Sequence, residues 1–431
     1  MNMLTQTTAT ESSKLNTRVY YPWVVLSFAA LFLFYKYVLQ VSPSVMTQAL
    51  IQHFHLHGSS LGNLAATFFY AYLVVQLFVG PLLDKYSPRL LTTLAIGVSA
   101  LGGLWFAEAQ TLLSASCARA LIGAGAAFAT VSYMKLAMMW FNPKKFAFVS
   151  GLLTTAAMLG SMAGQAPLGF LVAHFGWQTT LYVCGLIGVA LSSGYYLCVR
   201  DNTSLLTSIK TPSTHDFVKL LKCKHNWQLM LYSGLAFAPL AVFGGLWGNP
   251  FLQESFHVSK IGAGTLVSCS FFGLGIGGPL LGYLSDRLHN RLNVMTLGLL
   301  LSFISLVFAL YFPIHSTWLE AVFLFLFGFG TGAFMLGFSL GKEMNALGLG
   351  ACVIALINTG DALFGAISEP LAGKILDLVA TNKTAYGDIS FTIHDYHLAL
   401  LMLPLYLVAA GIFLLFLKKT CQQKLLDQRG I

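Results

Sequence analysis

Charge is the scarcest commodity in this chain. Only 9% of its 431 residues are Asp, Glu, Lys or Arg, where a soluble globular chain carries roughly 25%. That deficit excludes a mainly water-facing surface. Hydrophobic residues make up 56% and the mean hydropathy is +0.73, so lipid is expected to cover most of the exterior. The seven cysteines, at 117, 184, 198, 223, 269, 352 and 421, form no CxxC pair, which argues against a disulfide framework or a zinc site. There is no GxxxxGK[ST] loop to cradle a nucleotide phosphate. No nucleophile–base constellation stands out either, so neither an enzyme nor a bound cofactor or metal is expected. The first 20 residues are polar and rich in Ser and Thr, and lack the basic, apolar, small-residue order of a signal peptide. The net charge of +9 does not point to nucleic acid, because Lys and Arg fall in short segments between apolar runs and gather on no water-facing domain.

What is present is a series of long apolar runs. About 20 mainly apolar residues span a bilayer as a helix. Spans are expected near 22–50, 61–83, 90–107, 112–138, 147–173 and 177–199, and again near 227–252, 261–284, 293–313, 317–340, 348–378 and 396–417. The polar stretch between the sets holds Lys210, Pro212, Lys219, Lys222 and Lys224. The expected division is a tail at 1–21, a six-helix bundle at 22–199, a linker at 200–226, a second bundle at 227–418 and a tail at 419–431.

The two bundles read as one unit repeated. Gly80, Leu82, Asp84, Lys85 and Arg89 close the second span, and Gly282, Leu284, Asp286, Arg287 and Arg291 recur at an offset of 202. Gly123 and Gly125 recur as Gly328 and Gly330, and Pro167-Leu168 as Pro370-Leu371. Three matches in order, at nearly constant offset, predict parallel six-helix repeats, the arrangement of the major facilitator fold. The fold class expected is therefore all-α, with 12 transmembrane helices in two six-helix bundles.

Basic residues fix the expected orientation. With the N-terminus inside, the inner segments hold Lys14, Arg18, Lys85, Arg89, Lys144, Lys145, Arg200, Lys210, Lys219, Lys222, Lys224, Arg287, Arg291, Lys342, Lys418, Lys419, Lys424 and Arg429. Only Lys260, Lys374 and Lys383 lie at or near outer ends. This asymmetry predicts two cytoplasmic termini and residence in the inner (plasma) membrane.

The segment Gly80-x-Leu82-x-Asp84-Lys85 with Arg89 resembles the signature of the major facilitator superfamily, with Ser87-Pro88 where the family usually carries a glycine. Arg119-x-x-x-Gly123-x-Gly125 resembles that family's fourth-helix motif. The resemblance covers about residues 20–418. A finer likeness links Phe34-Tyr35-Lys36-Tyr37, Val41-Ser42-Pro43-Ser44, Phe69-Tyr70-Ala71-Tyr72 and Lys342-Glu343-Met344-Asn345 to a proteobacterial branch. That branch includes phagosomal nutrient transporters, which import amino acids, and related siderophore permeases. The resemblance implies that spans one, four, seven and ten line the cavity. It also implies that an arginine at the position of Arg119 is linked to proton coupling.

A charge at membrane depth is costly and invites a functional reading. Lys36 lies near mid-bilayer, and Lys36, Gln40, Ser44 and Thr47 recur at helical spacing as one polar stripe. A mid-membrane lysine can bind a carboxylate or serve as a structural partner to a carbonyl. Arg119 can hold a carboxylate with two parallel hydrogen bonds, or form an inter-helix structural pair. Lys135, near an inner end, is expected to snorkel. Asn358, Asp361, Gly365 and Ser368 mark one face of the eleventh span, and Glu369 adjoins it. A carboxyl group removed from water can take up and release protons, which makes Asp361 the main coupling candidate, with Arg119 and Glu369 beside it. Tyr35, Tyr37, Tyr70, Tyr72, Tyr133, Gln165, Tyr232, Trp247, Asn249 and Asn358 are further candidates for contact with solute. Asp84 and Asp286, with Gly80, Lys85, Arg89, Gly282, Arg287 and Arg291, are expected to act as gate elements.

These observations predict a monomeric secondary transporter that uses protons to import a small carboxylate-bearing or zwitterionic nutrient, such as an amino acid or short peptide. The alternatives are a siderophore or organic-anion permease and, from another class, a transporter-like solute sensor.

Overall fold

A computed structural model describes the backbone of residues 3–141, 143–201, 220–312, 316–345, 350–380 and 391–429. Side chains at 3–19, 84, 143–148, 150, 350–351 and 419–429 lie outside the described set. Lys210, Pro212, Lys219, His315 and Lys383, together with the side chains of Asp84, Lys144, Lys145, Lys419, Cys421, Lys424 and Arg429, are therefore among the residues that are not described.

Among the described residues, twelve helical segments are long and apolar enough to cross a membrane, and there is no strand. In chain order the helices are α1 (Met3–Val41), α2 (Pro43–Phe54), α3 (Gly58–Lys85), α4 (Pro88–Ala107), α5 (Leu112–Ala126), α6 (Phe128–Trp140), α7 (Pro143–Ala163), α8 (Ala166–Phe175) and α9 (Trp177–Cys198). The second half continues with α10 (Lys224–Val242), α11 (Gly248–Phe256), α12 (Lys260–Leu288), α13 (Arg291–Tyr311), α14 (Thr317–Thr331), α15 (Leu336–Met344), α16 (Gly350–Val379), α17 (Ile393–Leu400) and α18 (Met402–Arg429). An even number of spans brings both termini to one end of the bundle, here called the terminal end; the other is the far end.

The repeat seen in the sequence has a packing cause. A side chain on Gly123 would collide with the carbonyl of Phe68, and one on Gly328 with that of Ser270. A side chain on Gly125 would run into Ala95 and Ser99, and one on Gly330 into Gly298 and Ser302. Bare backbone thus lets the fourth span sit on the second and third, and the tenth on the eighth and ninth. Ser99 then reaches the carbonyl of Ile122 at 3.2 Å, and Ser302 reaches that of Phe327 at 2.9 Å.

Each span expected to line the cavity is interrupted. The first breaks at Ser42, because Pro43 offers no N–H to the preceding turn. This corrects the expected continuous helix over 22–50. The fourth breaks at Ala127, the tenth contains a 3₁₀ turn at Gly332–Met335, and the seventh carries a π-turn at Phe243–Trp247 after Pro239. Interruptions of this kind free backbone groups and cluster at functional sites.

Candidate functional site

The Pro43 break leaves carbonyls on the preceding turn without their usual partners, and Arg119 supplies donors. Its guanidinium bonds to the carbonyl oxygens of Leu39 at 2.8 Å, Gln40 at 3.3 Å and Ala65 at 3.3 Å, and lies 5.4 Å from the ring centroid of Phe68. Ser42 adds a 2.9 Å bond to Leu39. In this geometry Arg119 braces the first span against the second and fourth. Its Nε and the Oε1 of Gln40 are buried without a partner.

Lys36 lies one helical turn before Gln40 and is 5% exposed. Among the described residues no carboxylate pairs with it. Its ammonium sits instead against aromatic faces, 3.7 Å from the ring centroid of Tyr37, 5.3 Å from Tyr72 and 6.0 Å from Phe68. Ring quadrupoles attract a cation without neutralising it. The site therefore places a buried amine at the boundary between the halves with no carboxylate against it among the described residues.

Tyr72 carries the site across to the second half. Asn358 donates to its hydroxyl at 3.3 Å, and one turn further along α16 Asp361 accepts from Ser233 of α10 at 2.8 Å. Asp361 is 8% exposed. Lys36 and Asp361 thus face each other's half across an aromatic and amide layer. The polar stripe of α16 does not stay together. Gly365 packs on the ring of Phe69, while Ser368 donates to Tyr406 of the twelfth span at 3.1 Å.

Toward the far end a second polar group joins the halves. Asn249 Nδ2 donates to Gln165 Oε1 at 2.6 Å and to Ser44 Oγ at 3.1 Å. Gln165 Nε2 donates to the carbonyl of Gly244, inside the π-turn, at 2.6 Å. Trp247 donates to the carbonyl of Glu369 at 3.2 Å. The Glu369 carboxylate lies beside Gly245, is 3% exposed, and keeps one oxygen without a partner.

Other expected contact residues face elsewhere. Tyr35 turns its hydroxyl toward Gly188 and Gly103 within the first half, so it packs rather than lines the interface. Tyr133 donates to the carbonyl of Val149 at 2.8 Å in the neighbouring fifth span. Tyr232 is fully buried beside Gly337 of the tenth span, and its neighbour Ser233 takes the place facing Asp361. Ser233 and Phe68 were not legible as site residues, whereas Tyr72 was expected among the cavity candidates and stands between Lys36 and Asn358.

At the terminal end, Arg291 bridges Asp286 at 3.2 Å and Glu343 at 2.6 Å within the second half. Arg89 lies over the Tyr196 ring at 4.2 Å and donates to its carbonyl, while Asp201 accepts from Ser87 and from the backbone of Arg89. Lys85 lies 5.4 Å from the Tyr86 ring and Arg287 is exposed. A side chain added at Gly80 or Gly282 would meet open space.

Twelve spans in two like halves, with buried basic and acidic side chains at the boundary between them, fit a membrane transporter of small solutes. The sequence matches the family model described as Major Facilitator Superfamily over residues 24–248 and 229–420, and the chain belongs to that family. It is 22% identical over 386 residues to the uncharacterized transporter YybO of Bacillus subtilis, covering 83% of this chain and 88% of that one. It is 24% identical over 282 residues to a probable L-galactonate transporter of Escherichia coli, covering 62% and 61%. The fold is similar to that of a bacterial homolog of the human lysosomal transporter Spinster in an inward-facing, occupied conformation. That match has a TM-score of 0.73 at 15% identity, over 93% of this chain and 97% of the other.

Proposed function

We propose that this protein imports a small carboxylate-bearing or zwitterionic nutrient, such as an amino acid or short peptide, together with protons. The observation that carries the reading is Lys36, a buried ammonium held by rings and without a carboxylate partner among the described residues. Leaving such a charge uncompensated is costly unless a ligand completes it. An incoming carboxylate would draw the ammonium off the Tyr37 face. Asp361, across the interface, would accept an ammonium group of a zwitterion or a coupled proton. Glu369 and Arg119 would complete the proton path, and Gln40, Tyr37 and Asn358 would line the solute. The termini are cytoplasmic in this reading, in keeping with the basic segments, and the chain works as a monomer. Membership of the proteobacterial branch of phagosomal nutrient transporters is part of the same proposal.

Permeation of an organic anion is a second reading, favoured by the sugar-acid name of the Escherichia coli relative. A thermal-shift screen across amino acids, short peptides and organic acids separates the two, because a ligand that binds the folded state raises its stability by mass action. Flux of the stabilising compound in proteoliposomes then supports transport. Binding without flux under any gradient would instead indicate a solute sensor and overturn the proposal.

A further inference from the structure

The two halves treat their matching second helices differently at the far end. α12 begins at Ser259, whose hydroxyl accepts from the backbone of Gly262 at 3.2 Å and so caps the helix from within its own half. The matching residue of α3, at the repeat offset of 202, is His57, and its side chain makes no cap hydrogen bond. The first N–H groups of α3 are satisfied from the other half instead. Asp377 of α16 accepts from Gly58 N at 2.7 Å and from Ser59 N at 2.8 Å.

The backbones leave little room between these partners. A side chain on Gly58 would strike the carbonyl of Gly373 and the carboxylate of Asp377, and one on Gly373 would strike the carbonyl of Gly58. One turn on, Gly62 meets the backbone of Glu369 and Pro370 in the same way. Two short bonds to one carboxylate, at a helix terminus of positive partial charge, hold this seam shut. His174, the residue matching Asp377 in the first half, bonds to the carbonyl of Phe170 in its own helix.

We propose that Asp377 is the latch of the far-end gate. Its carboxylate lends α3 the cap that α3 lacks, so the cap exists only while the halves meet there. Parting the halves at that end uncovers two backbone donors on α3, while α12 keeps its own cap. The latch therefore biases alternating access toward the state closed at the far end, from one seam and not the other.

The test measures the gate directly in the full-length chain, with other exposed cysteines replaced. Spin labels at Gln110→Cys and Ser316→Cys stand on exposed far-end positions of opposite halves. Pulsed dipolar spectroscopy in lipid nanodiscs then reports the ratio of open to closed populations. Asp377→Ala is expected to raise that ratio about twofold to thirtyfold, the range spanned by loss of a helix cap. Ser259→Ala is expected to leave it unchanged. His57→Asp in the Asp377→Ala background gives α3 a cap of its own, and is expected to recover thermal stability while the distance distribution stays shifted. Recovery of the closed population by His57→Asp would make Asp377 a mere helix cap and overturn the latch. An unshifted distribution in folded Asp377→Ala would overturn it too. Should the alanine variant not fold, Asp377→Asn serves in its place, with a smaller shift expected and its absence equally decisive.

Discussion

Removing the Arg119 guanidinium while keeping the bulk, as Arg119→Met, tests whether this residue braces the fold or acts on solute and protons. In the structure it donates one short and two longer hydrogen bonds to carbonyls beside the Pro43 break. Hydrogen bonds to charged groups contribute about 1.5–3 kcal/mol each, with the longer ones at or below the lower limit. Burying the guanidinium carries a desolvation cost that offsets much of this sum. A net loss of about 2 kcal/mol is expected, roughly a thirtyfold change in the folding equilibrium. Arg119→Lys keeps the charge but offers a single donor group in place of a planar fork, so it is expected to lose about half as much. The assay is thermal unfolding in detergent beside solute binding and proton-driven uptake. A variant of wild-type stability that has lost coupling would refute the bracing role and assign Arg119 to the proton path with Glu369.

Further expectations concern coupling, gating and topology. An acid-outside gradient sends protons inward down their own gradient and is expected to accelerate uptake; Asp361→Asn is expected to abolish the acceleration, and accumulation against a solute gradient by that variant would exclude Asp361 as an essential proton site. Asp286→Asn breaks the link to Arg291 and is expected to slow exchange between states several-fold with equilibrium binding kept. Asp84→Asn is expected to do the same, and loss of binding at unchanged exchange rates would contradict both. Cysteine labels at Lys224→Cys and Lys383→Cys are expected to react from opposite sides of the membrane, and labelling from one side would overturn the orientation.

The fold was legible because lipid imposes it. Apolar runs, charged turns and matched glycines each have one physical cause, and Gly123, Gly125, Gly328 and Gly330 do sit where backbone touches backbone. The Ser42–Pro43 break was visible as a proline, but a run of hydropathy does not register one missing hydrogen bond. The site was only partly legible. Lys36 and Asp361 stood out by charge at depth, and both come to the boundary between the halves. Helical spacing alone could not tell Tyr232 from Ser233, one residue apart, because either could face the eleventh span. Tyr35 likewise sits beside Lys36 in sequence yet points into its own bundle. Gln165 and Asn249 were expected as candidates for contact with solute, but their bond to each other depends on how the two halves dock. Asp377 gave no signal at all, since its partners are backbone groups more than 300 residues away.

The central claim is that the uncompensated ammonium of Lys36 recognises the carboxylate of the solute. The direct measurement is equilibrium binding of the stabilising solute, and of its carboxamide analogue, to wild type and Lys36→Gln in nanodiscs at one ionic strength. A charge-assisted bond at this depth is expected to contribute about 1.5–3 kcal/mol. Lys36→Gln should therefore weaken the carboxylate by roughly tenfold to a hundredfold and leave the carboxamide nearly unchanged. Equal weakening of both ligands, or undiminished affinity for the carboxylate, would contradict it.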